Sequence, residues 1–123
     1  MSNFIYHNVN PRGRTLPDCV TRAISLACNI PYYEVRDMLA ENGEYYSCDR
    51  LCVGCYSYLL EDTLGYKAYE GNGQTVNEII EQYPESILLL RIEGHLTCSI
   101  DKIVFDIWDC TMEICDKFWI IDR

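Results

Sequence analysis

No stretch of this 123-residue chain comes near the roughly 20 consecutive apolar residues needed to span a bilayer. The opening segment, MSNFIYHNVNPRGR, is polar and broken by Asn, Pro and Gly, and so lacks the apolar run of a signal peptide. The expectation is a protein made without export, in the cytoplasm. Basic residues are scarce, with 10 Lys and Arg against 19 Asp and Glu, for a net charge of −9. That balance speaks against sequence-independent nucleic-acid binding, which needs cations on phosphates, and against adhesion to anionic membranes. An acidic surface instead serves solubility or attracts a basic partner. No repeat, low-complexity tract or linker interrupts the chain, and its length and apolar content suit one domain over residues 1–123. There are only two histidines, His7 and His95, so any imidazole chemistry rests on one of them.

Cysteine, by contrast, is plentiful: eight residues. In a reducing cytosol most should be free thiols rather than a disulfide scaffold. Cys48, Cys52 and Cys55 have the C-x3-C-x2-C spacing by which radical-SAM enzymes hold an iron–sulfur cluster, but such enzymes need a barrel that this chain is too short to build. Zinc held by these cysteines with Cys98 or Cys110 would lack the paired C-x2-C knuckles of structural zinc sites. The remaining reading is core packing, with Cys52 and Cys55 on one helix face and no metal or cofactor. The ten tyrosines, Tyr32-Tyr33 and Tyr45-Tyr46 among them, read as half-buried amphipathic residues.

The periodicity gives helices first and strands later. Val20, Ala23, Ile24, Ala27 and Cys28 fit an amphipathic helix over residues 18–29, opened by Pro17 and Asp18. A second helix begins near Pro31, buries Val35, Met38 and Leu39, and should end at Asn42-Gly43. A third is expected over residues 50–64. The fourth opens with a Thr75-x-x-Glu78 capping box and stops at Pro84. Strands follow over 86–92, 95–100, 103–108 and 118–121, with Asp101-Lys102 as a two-residue hairpin turn. This order predicts an α+β domain with helices packed on one side of a small antiparallel sheet.

Hairpin parity divides the side chains. Leu96, Cys98, Ile100, Ile103, Phe105 and Ile107 share an apolar face. His95, Thr97, Ser99, Val104, Asp106 and Trp108 share the other, so Asp106 lies diagonally across from His95 beside a covering Trp108. Asp109 falls on the wrong face unless a bulge re-aims it. A carboxylate beside an imidazole fixes its tautomer and stabilises the imidazolium. Such a pair is also common as a structural surface contact without chemistry. The residue that favours chemistry is Cys19. It opens the first helix, where unpaired N–H groups and the macrodipole favour a thiolate, and it lies beside rather than within the apolar stripe. A thiol there needs a base, and His95, with its same-face carboxylate, is better placed than His7. A buried, inert Cys19 at the helix–sheet junction is the plainer alternative.

At these residues the chain resembles the papain-like cysteine peptidases, including their compact NlpC/P60-type and bacteriocin-processing branches. The likeness lies in a Cys opening the first helix, a His about 75 residues on at a strand start, and an acidic residue on the next strand. Phe105-Asp106-Ile107-Trp108 is similar to the Asn-Ser-Trp of that fold. Through PDCVTRAISLA and GHLTCSIDKIVFDIWDC the chain also resembles small proteins of Gram-positive bacteria and their phages. The resemblance implies a papain-like fold and a thiol hydrolase acting on an amide or isopeptide bond in a peptide or protein, with Cys19 as nucleophile, His95 as base and Asp106 as orienting group. Gly13 stands where the family carries an oxyanion-hole Gln, leaving Asn10, Arg14 or the Cys19 N–H as candidate donors, and Val20 replaces the Gly that follows the Cys in the bacteriocin-processing branch. The alternative function is a non-catalytic acidic binding or inhibitor protein, such as one encoded by a phage, that occludes a host protein.

Overall fold

The computed structural model describes residues 3–14 and 17–122. Strand β1 (Phe4–Tyr6) precedes helices α1 (Cys19–Cys28), α2 (Tyr32–Tyr46) and α3 (Val53–Tyr58), the last running on into a π-helical turn (Leu59–Thr63). Strand β2 (Ala68–Glu70) and helix α4 (Val76–Gln82) lead to β3 (Ile87–Ile92), β4 (His95–Ile100), β5 (Ile103–Asp106) and β6 (Lys117–Ile121). The strands form one six-stranded sheet in the order β1-β5-β4-β3-β6-β2. The α+β class holds, and no helix among the described residues is long and apolar enough to cross a membrane.

Local signals account for several elements. Helix α1 ends where Asn29 turns left-handed (φ 55°), and α4 opens on the reciprocal capping box, Glu78 N–H to Thr75 Oγ1 (3.1 Å) and Thr75 N–H to Glu78 Oε1 (3.0 Å). Asp101 and Lys102 both take positive φ, 49° and 70°, as a tight two-residue turn between twisted antiparallel strands requires. Other boundaries differ. Helix α2 runs through Asn42-Gly43 to Tyr46, because Asn42 donates its amide to the Cys55 carbonyl (2.9 Å) and Gly43 admits the backbone of Cys48 close against the helix. The last hairpin strand stops at Asp106 rather than Trp108.

The layering also departs from expectation. Helices α1, α2 and α3 cover one sheet face, where Ile24, Leu39, Leu60, Leu89, Leu96, Cys98 and Trp119 form the larger core. Helix α4 lies in a second core with Leu88, Leu90, Ile92, Val104 and Phe118, so helices flank the sheet on both sides. Residues expected on an open face, Thr97, Ser99 and Val104, are consequently buried. Each fully buried Leu or Ile contributes about 1.5 to 3 kcal/mol, and two cores spread that contribution over both faces. The sheet is not wholly antiparallel either: β1, which the polar N-terminus concealed, pairs in parallel with β5, aligning Tyr6 with Asp106. That pairing covers β5, which would otherwise be the sheet edge, and leaves Asp106 buried.

Among the described residues one disulfide, Cys48–Cys55, is formed, and the other six cysteines lie outside it. This pair corrects the reading of all three C-x3-C-x2-C residues as packed thiols. Cys52 is exposed, because the helix starts after it and Cys52 becomes its N-cap.

Candidate active site

Helix α1 packs across β4 with Cys19 as its first residue, which brings the thiol to the end of β4 where His95 begins the strand. Gly94, at φ 72°, forms the turn just before His95 in a conformation that a side chain would strain. Asp106 closes β5, and its side chain returns toward β4 on the parity that the hairpin predicts. The His95 Nε2 and Asp106 Oδ2 atoms are 2.6 Å apart. Trp108 presents its ring edge-on to the imidazole, 5.1 Å between centroids, while nearly half exposed itself. Asp109 takes a different part: its carboxylate accepts the Thr111 N–H and hydroxyl.

Asp106 is a crowded acceptor. Oδ2 also receives the Thr97 hydroxyl (2.7 Å), and Oδ1 receives Arg22 Nη1 (3.1 Å) and the Ile107 N–H (2.7 Å). Arg22 in turn donates Nε to Asp18 Oδ1 (2.6 Å), and Asp18 Oδ2 is held by the Tyr32 hydroxyl (2.6 Å) and Asn10 Nδ2 (3.0 Å). A continuous polar chain, buried at its centre, therefore runs from Tyr32 and Asn10 through Asp18, Arg22 and Asp106 to His95.

The ionisation of each group follows from these partners. Burial opposes the charged form of His95, but bonds to Asp106, Cys110 and Cys19 outweigh it and push the imidazole up to about 11. Burial would likewise raise the Cys19 thiol. Its hydrogen bond with His95, the Leu96 backbone and the charges of His95 and Arg22 prevail and hold it below the ordinary thiol range. The helix terminus expected to depress it is joined here by a specific cationic partner. Asp106 and Asp18 are both held below the usual carboxylate value in spite of burial, Asp106 chiefly by His95 and Thr97, Asp18 by Tyr32, Asn10 and Arg22.

No family model, curated protein or solved structure matches this chain.

Sequence reasoning placed Cys19, His95 and Asp106, and the fold brings the three together. It missed four neighbours. Thr97 shares the parity of His95 and Asp106, and Asp18, at the N-cap of α1, stands at i, i+4 from Arg22; both signals were legible. Cys110 had no local signal, since a loop folds it under the imidazole. Of the candidate oxyanion donors, Asn10 is committed to Asp18 and Arg14 is exposed. His7 is exposed, edge-on to Phe105 at 6.1 Å, with its backbone N–H on the Asp106 carbonyl.

One nitrogen of His95, one oxygen of Asp106 and the Cys110 sulfur lie within 4.8 Å of one another, a spacing open to a metal ion. The donors fit poorly. Both Asp106 oxygens are occupied by protein donors, and Arg22 sets a fixed positive charge 3.1 Å from one of them. A cavity of about 220 Å³ opens over Cys19 and His95, walled by Val20, Leu51, Cys52, Tyr56 and Arg91. Arg91 also borders a larger, charged cavity of about 540 Å³.

Proposed function

We propose that the chain is a thiol-dependent hydrolase of papain-like type, a cysteine peptidase or amidase cleaving an amide or isopeptide bond in a peptide or protein substrate. The observation that supports it is the imidazole of His95 bonded to the Asp106 carboxylate with the Cys19 thiol beside it in one cavity, the thiol pushed toward its anion and the imidazole toward its cation. In this reading the Cys19 thiolate attacks the carbonyl carbon. The His95 imidazolium then gives its proton to the leaving amine, and the neutral ring takes one from the water that releases the acyl group. Asp106 keeps the ring in plane and stabilises its charged form. Substrate reaches the thiol through the cavity over Cys19 and His95.

A second reading has its own support: the Asn10 amide, a side-chain candidate for an oxyanion donor, is already bonded to Asp18. On that reading the fold serves binding without turnover, as an acidic protein that occludes a partner. Turnover of a fluorogenic peptide and isopeptide library by the wild type and by Cys19→Ser, alongside melting curves, separates the two. Hydrolysis that disappears in a Cys19→Ser variant of near-unchanged stability, within about 1 kcal/mol, supports the enzyme. Full retention of the protein's effect by Cys19→Ser supports the binder.

A further inference from the structure

We propose that Arg22 is a positioning residue of this site, a cationic strut that sets both the placement and the ionisation of the Cys19–His95 pair; the inference rests on reading that pair as the reacting groups. The Arg22 side chain is only 6% exposed, and it spans two carboxylates, Asp18 Oδ1 at 2.6 Å and Asp106 Oδ1 at 3.1 Å. Asp18 immediately precedes Cys19, and Asp106 holds His95. One planar guanidinium thus ties the end of the helix that carries the thiol to the strand that carries the partner of the base. The outer end is anchored as well, because Asp18 is gripped by Tyr32 from α2 and Asn10 from the N-terminal segment. A buried ion cluster is a poor device for stability alone, since apolar packing of similar volume often does as well or better. A rigid fork with fixed donor directions is a good device for holding two elements in register.

Charge accounting points the same way. The titratable and charged groups facing this network are Asp18 at the N-cap of α1, Cys19 on α1, Tyr32 on α2, Tyr56 on α3, Arg91 on β3, itself paired with Asp116, His95 on β4, Asp106 on β5, Cys110 in the following loop, and His7, which lines the small space beside Arg22. Two carboxylates against one guanidinium leave a net charge of −1, which an imidazolium at His95 cancels. The network therefore stores a proton on His95. Arg22 also limits the excess, because without it two buried negative charges would face the forming thiolate.

The test is the rate of Cys19 alkylation by iodoacetamide as a function of pH, read by mass spectrometry on the full chain, for the wild type, Arg22→Lys and Tyr32→Phe. Lys keeps the charge but cannot bridge both carboxylates. The expected result is an upward shift of the alkylation midpoint by about one pH unit in Arg22→Lys. A smaller shift in the same direction is expected in Tyr32→Phe, which loosens Asp18 alone. Where a substrate is turned over, kcat should fall about 100-fold with KM within a few-fold, as for a displaced reacting group. A folded Arg22→Lys whose midpoint matches the wild type overturns the strut. If Arg22→Lys does not fold, Tyr32→Phe decides by the same midpoint: a rise supports the strut and an unchanged value overturns it. Alkylation reports Cys19 ionisation without any substrate. A wild type that cleaves nothing while its midpoint still moves in Arg22→Lys therefore overturns the hydrolase and keeps the strut.

Discussion

Replacing Asp106 with Asn should destabilise the protein in a way that depends on pH with a definite sign. The carboxylate is 3% exposed and accepts from His95, Thr97, Arg22 and its neighbouring backbone N–H. Asn keeps the shape and can still accept from Arg22, but it carries no negative charge to stabilise a protonated imidazole. Breaking a buried pair of this kind costs about 3 to 5 kcal/mol, and the isosteric amide places the expectation near 3. The imidazole is raised from 6.5 to about 11 in the folded protein. A raised pKa contributes stability that is complete below the unfolded value and is lost as pH climbs toward the folded one. The stability supplied by the His95–Asp106 pair is therefore full at pH 6 and falls at about 1.4 kcal/mol per pH unit above roughly 6.5. Asp106 itself, held below 3.8, loses its contribution only in stronger acid. The thiol, held below its ordinary range, contributes with the opposite sign, so the comparison belongs in a Cys19→Ser background. Urea denaturation at pH 6 and pH 9 should give an Asp106→Asn penalty near 3 kcal/mol at the lower pH and a smaller one at the higher. Equal penalties at the two values would show that Asp106 does not hold an imidazolium, and the stored proton on His95 would have to be abandoned.

Two further outcomes follow from burial and contact. Under limiting iodoacetamide at pH 6 to 7, Cys19 should label ahead of Cys52, the exposed free thiol, and well ahead of buried Cys98, Cys110 and Cys115, with Cys48 and Cys55 silent until the disulfide is reduced; preferential labelling of Cys52 would count against an activated Cys19. Gly71→Ala should lower the melting temperature sharply, because its new Cβ would stand 1.7 Å from the Cys115 carbonyl oxygen in the loop that also carries Cys110; a melting curve within 2 °C of wild type, on the order of half a kcal/mol, would refute that packing.

What the sequence by itself determined was local. The apolar spacing of α1, the Thr75–Glu78 box of α4 and the Asp101-Lys102 turn rest on interactions within a few residues, so the order of residues carries them. The alternation of β4 and β5 then set His95, Thr97, Asp106 and Trp108 on one parity, enough to pair His95 with Asp106 before any coordinates. Tertiary structure decided the rest. Strand β1 is three residues long and exists because β5 offers it a parallel ladder about 100 residues away in the chain, a pairing with no local signature. The same holds for the placement of α4 on the opposite sheet face, for the Cys48–Cys55 link made possible when α2 runs past Gly43, and for the loop that tucks Cys110 under His95. Arg22 shows the division within one residue. Its i, i+4 spacing from Asp18 is written in the sequence, whereas its bond to Asp106, across a separation of 84 residues, exists only once helix and sheet have packed. Hydrogen bonds and charges act over a few ångströms of space, and only the packed fold decides which distant residues come that close.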